Sequence, residues 1–85
     1  MIYLLIYDTG TSLRTYCGYT GFMTKRIAQH RRGSCKTTSR YNKAYTLKEI
    51  RYVEGTRADE ASFKKLSQKD KLRISKEWET WLHLW

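Results

Sequence analysis

Six side chains in this sequence could together break a phosphodiester bond: Tyr3, Tyr16, Arg26, His30, Lys36 and Glu60. Such hydrolysis needs an in-line nucleophile, a group to take its proton, positive charge for the developing phosphorane oxygens and help for the leaving alkoxide. A tyrosine or histidine serves as the base, an arginine neutralises the phosphorane, and a carboxylate-held Mg²⁺ supports the leaving oxygen. Free tyrosine ionises near pH 10 (about three units too high for a good base at neutral pH), so neighbouring cations would have to lower it. Each residue also has an ordinary explanation when taken alone. The tyrosines suit a sheet core, Arg26 a solvated helix surface, and His30 a structural or exposed position. Glu60 suits the first turn of a helix, where the dipole favours an acid.

The elements that must position these groups can be read from periodicity. Residues 2–7 form a short apolar run rich in β-formers, ended by the turn signal Asp8-Thr9-Gly10-Thr11-Ser12. Residues 13–20 resume with aromatic and β-branched types, so the two runs read as a hairpin with a longer loop. Residues 22–32 read as a helix, with Met23, Ile27 and His30 at i, i+4 and i+7, Thr20 or Gly21 as the cap and Gly33 as the stop. Arg26 and His30, four residues apart, then share a face of that helix.

A polar basic loop is expected at 34–43, then a third strand within 44–54 anchored by Ile50, Tyr52 and Val53. A helix follows at about 58–66, and a last helix from about Lys69 to the C-terminus carries Ile74, Trp78, Trp81, Leu82 and Trp85 as one apolar stripe. The order β-β-α-β-α-α predicts an α+β fold: a small antiparallel three-stranded β-sheet flanked by helices, in a single domain spanning 1–85.

Charge supplies the first clue to a partner. Seventeen Lys and Arg against eight Asp and Glu give a net charge of +9 over 85 residues. The excess is concentrated: residues 22–43 hold Lys25, Arg26, Arg31, Arg32, Lys36, Arg40 and Lys43 and no acid. A polyanion is the natural partner, with nucleic acid ahead of anionic lipid because the basic stretch has few large apolar residues to insert.

The opening run is far short of the roughly 20 residues a bilayer span needs, and it lacks the basic start of a secretory signal. No membrane partner is therefore expected, and the location expected is the cytoplasm (the host's, for a phage, virus or mobile element). Two cysteines, Cys17 and Cys35, lack CxxC spacing and read as reduced thiols, and with two histidines they make no zinc site.

In combination these fragments resemble the GIY-YIG nuclease family. Met1-Ile2-Tyr3 is similar to the first half-motif, with methionine in place of glycine, and Tyr16-Cys17-Gly18-Tyr19-Thr20 is similar to the second. Lys25-Arg26-Ile27-Ala28-Gln29-His30 looks like the family's basic helix, Lys36-Thr37-Thr38 like the Lys-aromatic-Thr that follows it, and Glu60-Ala61-Ser62-Phe63-Lys64-Lys65-Leu66 like the metal-binding segment. The resemblance spans roughly residues 2–71.

It implies that Tyr3 and Tyr16 face the scissile phosphate from adjacent strands with one acting as base. Arg26 would stabilise the transition state, and His30 would bond a tyrosine or the phosphate. Glu60 would be the sole protein ligand of one Mg²⁺ or Mn²⁺ ion. Lys25, Arg31, Arg32, Lys36, Arg40 and Lys43 would bind DNA. The chain departs from the family pattern in a longer hairpin loop, in Phe22 where many relatives carry an acid, and in a shorter stretch between Glu54 and Glu60. Asn42 is a candidate for the asparagine some relatives use.

The function expected is that of a metal-dependent DNA endonuclease choosing branched, flap or junction structures rather than a sequence. A homodimer through the C-terminal helix would supply a second active site. Two alternatives stand beside it: a non-catalytic nucleic-acid-binding protein of the same fold, and an accessory module docking through its tryptophan stripe.

Overall fold

A continuous run of bulky apolar and aromatic residues is satisfied best in a strand covered on both faces. Residues 2–7 are such a run, and all six are buried. In the computed structural model, which describes residues 1–81, they form the centre of β1 (Ile2–Asp8). The chain continues through β2 (Leu13–Tyr19), α1 (Met23–Arg31), α2 (Lys36–Ala44), β3 (Thr46–Val53), α3 (Arg57–Lys64) and α4 (Gln68–Ile74). A 3₁₀ turn at Ser75–Glu77 leads into a short β4 (Glu79–Thr80). The sheet is antiparallel with order β2-β1-β3-β4. The hairpin turn is closed by Asp8, whose Oδ1 accepts the N–H of Gly10, a glycine with φ +96°.

Strand alternation splits the core in two. On one face Tyr3, Leu5, Tyr7 and Ile50 meet Met23 and Ile27 of α1, with Tyr41 and Tyr45 packed alongside. On the other, Ile2, Leu4, Ile6 and Cys17 meet Phe63 of α3, with Leu66, Leu72 and Trp78 around them. Thr56 and Asp59 form a reciprocal capping box on α3. On α1 the cap residue is Phe22, not Thr20 or Gly21, while Thr20 Oγ1 accepts the Phe22 N–H. Cys17 and Cys35 are free thiols.

Three expectations about elements are corrected. Residues 34–43 are not a loop: α2 occupies 36–44, with Thr38 fully buried on its inner side. The sheet has four strands among the described residues, not three. The last helix stops at Ile74 instead of running on. Arg51 ends it by donating from Nη1 to the Leu72 carbonyl and to the buried Ser75 Oγ. Trp78 then turns extended, and the Trp81 N–H reaches the Ile50 carbonyl across the open edge of β3.

Extended backbone sends the two tryptophans to opposite faces of the sheet, Trp78 against Phe63 and Trp81 against Tyr52. The apolar stripe of one helix therefore does not exist at 78–81, and Leu82 and Trp85 lie outside the described residues. Among the described residues no helix is long and apolar enough to cross a membrane.

One close approach positions the site. Gly18 pairs with Tyr3 across β1 and β2, and a Cβ at Gly18 would collide with the Tyr3 hydroxyl and ring. Gly18→Ala should therefore cost about 1–3 kcal/mol, as overpacking does. The check is a lower urea midpoint with unchanged slope.

Candidate active site

His30 lies on the inner face of α1, 1% exposed, and such a buried polar ring needs partners for both nitrogens. It has them. The Tyr3 hydroxyl is 2.7 Å from Nε2, and the Thr38 hydroxyl of α2 is 2.7 Å from Nδ1. Thr38 Oγ1 donates in turn to the Cys35 carbonyl, 3.4 Å away. That direction assigns the tautomer: Nδ1–H donates to Thr38, and Nε2 accepts from Tyr3. Tyr16 stands over the same imidazole, ring centroids 5.4 Å apart at 68°, and 6.5 Å from the Tyr3 ring. The Cys35 thiol lies 3.6 Å from the Tyr16 hydroxyl. Tyr3, Tyr16, His30 and the Arg26 whose charge they feel thus form one group on one face of the sheet. Arg26 itself lines a shallow cleft with Thr20, Phe22, Lys25 and Gln29.

The electrostatics run against an ionised tyrosine. Burial pushes the Tyr3 hydroxyl well above its ordinary value, Tyr16 adds to this, and Arg26 opposes without prevailing. Burial likewise lifts Tyr16 to about 12, again against Arg26. The same burial, helped by Arg26, holds His30 down to about 4, so the ring is neutral at pH 7. Cys35 goes the other way. Burial would raise its thiol, but hydrogen bonding with the Thr38 and Thr37 backbone and with the Tyr16 and Thr38 hydroxyls lowers it.

Glu60 does not join the tyrosines' face. It sits on α3, on the Cys17 side of β2, where its charge raises the Cys17 thiol beyond the effect of burial. Its side chain is 14% exposed and lies 3.5 Å from Nζ of the exposed Lys64. Since β2 is the sheet's edge, Glu60 and Tyr16 flank the same strand from opposite faces. Among the described residues no group of three His, Cys, Asp or Glu side chains gathers. The donor chemistry fits a magnesium-like ion all the same, because such an ion binds through one or two carboxylates and takes the rest of its shell from water and phosphate.

The six cations expected to meet DNA, Lys25, Arg31, Arg32, Lys36, Arg40 and Lys43, are all exposed on α1, α2 or the turn between them. Because 36–44 is helical, Lys36, Arg40 and Lys43 fall at i, i+4 and i+7 along α2. Asn42 is not aimed at the reacting groups. It accepts from the Tyr7 hydroxyl at 2.9 Å and donates to the His30 carbonyl at 2.9 Å, tying α2 to β1 and to the end of α1. Thr38, Tyr7 and Cys35 carry no expected role in the sequence reading. For Thr38 the signal was present: Thr38, Tyr41, Asn42 and Tyr45 follow i, i+3, i+4, i+7. A search for apolar periodicity passes over it because two of the four are polar.

In comparisons with known proteins, no family model, curated protein or solved structure matches this chain.

The buried imidazole makes folding pH-dependent. The unfolded ring takes a proton near 6.5 that the folded ring refuses until about 4, so the unfolded state binds more protons between these values. Stability should therefore fall as pH drops through that window, by up to about 3 kcal/mol, and this contribution should level off below it. Urea titrations at pH 7 and pH 4.5 measure the fall, and in His30→Gln this part of it should vanish.

Proposed function

We propose that this chain is a Mg²⁺-dependent DNA endonuclease of the GIY-YIG kind, selecting branched, flap or junction DNA rather than a sequence. The observation that carries this reading is the gathering of Tyr3, Tyr16, Arg26 and His30 on one face beside an edge strand, next to exposed cations. The element order contains the family's β-β-α-β-α-α, with α2 and β4 added, which is compatible with that fold. Shape selection is supported by the cations of α1 and α2, which suit phosphates; phosphate contacts position a protein without reading sequence.

Roles follow from exposure. Tyr16 is only half-buried whereas Tyr3 is 2% exposed, which supports Tyr16 as the hydroxyl that meets the attacking water. A hydroxyl held near 12 is a weak base at neutral pH. Tyr16 therefore stays protonated and orients the attacking water by a hydrogen bond, and as the phosphorane forms the water's proton goes to a non-bridging oxygen of the substrate phosphate. Tyr3 and the neutral His30 hold the floor of the site, and Arg26 meets the charge developing on the phosphorane oxygens. Glu60 would hold one Mg²⁺ or Mn²⁺ ion, which supplies Lewis-acid help to the leaving oxygen.

The non-catalytic nucleic-acid-binding reading has one observation in its favour: Glu60 is separated from the tyrosines by the thickness of β2. The accessory-module and homodimer readings lose the helical stripe at 78–81 on which they rested, because Trp78 and Trp81 pack on the two sheet faces. A nick in one strand is accordingly the product expected of one copy.

Cleavage of a panel of duplex, single-stranded, flap and four-way-junction DNA, with Mg²⁺ and with chelator, tests the reading. Glu60→Gln should abolish cutting while leaving DNA affinity equal or slightly higher, since a negative charge near phosphate is removed. Arg26→Ala should lose about 3–4 kcal/mol of transition-state stabilisation, as lost oxyanion donors do. Cutting retained by Glu60→Gln overturns the metal assignment, and binding by the unaltered protein without Mg²⁺-dependent cutting of any panel member favours the second reading.

Binding should also weaken steeply with salt, with a log–log slope of about −0.9 per phosphate neutralised. Arg31 and Arg32 replaced together by alanine should flatten that slope and leave sequence preference unchanged. Affinity indifferent to salt would rule out the basic face as the binding surface.

A further inference from the structure

We infer that the cleft between β2 and α2 is a subsite for one unpaired nucleotide of single-stranded DNA, next to the scissile phosphate. The inference rests on the endonuclease reading for its substrate and adds where and how the unpaired strand is held. The cleft measures about 410 Å³, within the range of about 300–1,000 Å³ usual for small-molecule sites. Its walls carry Arg14, Lys36 and Arg40 together with the rings of Tyr41 and Tyr45.

Three features fit a nucleotide. The cations suit its phosphate, and the tyrosine rings suit its base, because every base has a face to stack. Paired bases already stack on one another, so only an unpaired base can use the rings. The platform is also preorganised. Tyr41 packs edge-on against Tyr7 at 5.4 Å and 75°, and Tyr7 is bonded to Asn42. Tyr45 lies 5.6 Å from Tyr41, and the Arg14 guanidinium stands 6.0 Å above the Tyr41 ring.

Position supports the same conclusion. Arg14 and Tyr16 are two residues apart on β2 and so share a face, about 6.7 Å apart along the strand. Lys36 and Arg40 also border a second cleft, of about 330 Å³, with Ser39 and Lys43, so the cations continue past the aromatic pocket along α2. A strand entering by the tyrosines therefore has a charged path onward.

The test measures binding apart from cutting. Fluorescence anisotropy with Mg²⁺ omitted compares a labelled flap DNA with a blunt duplex of equal length. The unaltered protein should prefer the flap. Tyr45→Leu, which keeps an apolar side chain but no ring, should weaken flap binding roughly 5- to 150-fold, the worth of one stacked base. Blunt-duplex affinity should stay within about twofold, and Tyr45→Phe should restore the preference. Titration of the unaltered protein with an oligo-thymidylate should shift the Tyr41 and Tyr45 ring protons, an answer that needs no substitution. Flap affinity unchanged in Tyr45→Leu, equal loss on flap and duplex, or unshifted rings overturns the subsite. Intact flap preference without any cutting overturns the endonuclease reading and leaves the subsite standing.

Discussion

The burial of one neutral imidazole, bonded at both nitrogens, is the interaction on which the site depends. His30 draws the Tyr3 hydroxyl from β1 and the Thr38 hydroxyl from α2 onto a single ring, and its own carbonyl is held by Asn42. Three elements, β1, α1 and α2, are thereby fixed against each other by polar contacts in a region of low dielectric. There each satisfied bond matters, and a missing partner would be costly. Gly18 is part of the same constraint, since the Tyr3 ring passes where any side chain on that residue would stand.

The same low dielectric decides the protonation states. It keeps the tyrosines protonated and the imidazole neutral although Arg26 is close enough to act on all three. On this face positive charge sits on the half-buried Arg26 and the exposed cations of α1 and α2, while the Tyr3, His30 and Thr38 groups beneath are uncharged and hydrogen-bonded. An anion approaching this face meets cations first and hydroxyls beneath them. Such an arrangement favours stabilising charge as it develops over taking up a full charge beforehand.

The position of β2 at the sheet edge has a second consequence. Odd and even residues of an edge strand address different layers, so Arg14, Tyr16 and Gly18 belong to the α1 and α2 side while Cys17 belongs to α3 and its Glu60. The tyrosines and Glu60 thus stand on opposite faces of one edge strand.

Much of this was legible in the sequence. The apolar run at 2–7 marked a buried strand, Arg26 and His30 at i, i+4 marked a shared helix face, and the acid-free stretch at 22–43 marked a basic surface. These follow from local periodicity and from the cost of burying charge, both written in residue order. What tertiary structure decided lies at 34–44 and beyond Ile74. Lys36–Ala44 became a helix because Thr38 and Asn42 found polar partners on α1 and β1, contacts that no apolar count registers. The tryptophan spacing suited a helix, yet Arg51 took the Leu72 carbonyl and the Ser75 hydroxyl at the end of α4, and the free edge of β3 offered backbone bonds that only an extended chain could accept. Periodicity states which face a residue would present. Whether an open strand edge or a buried donor stands nearby to claim it is settled by residues far along the chain.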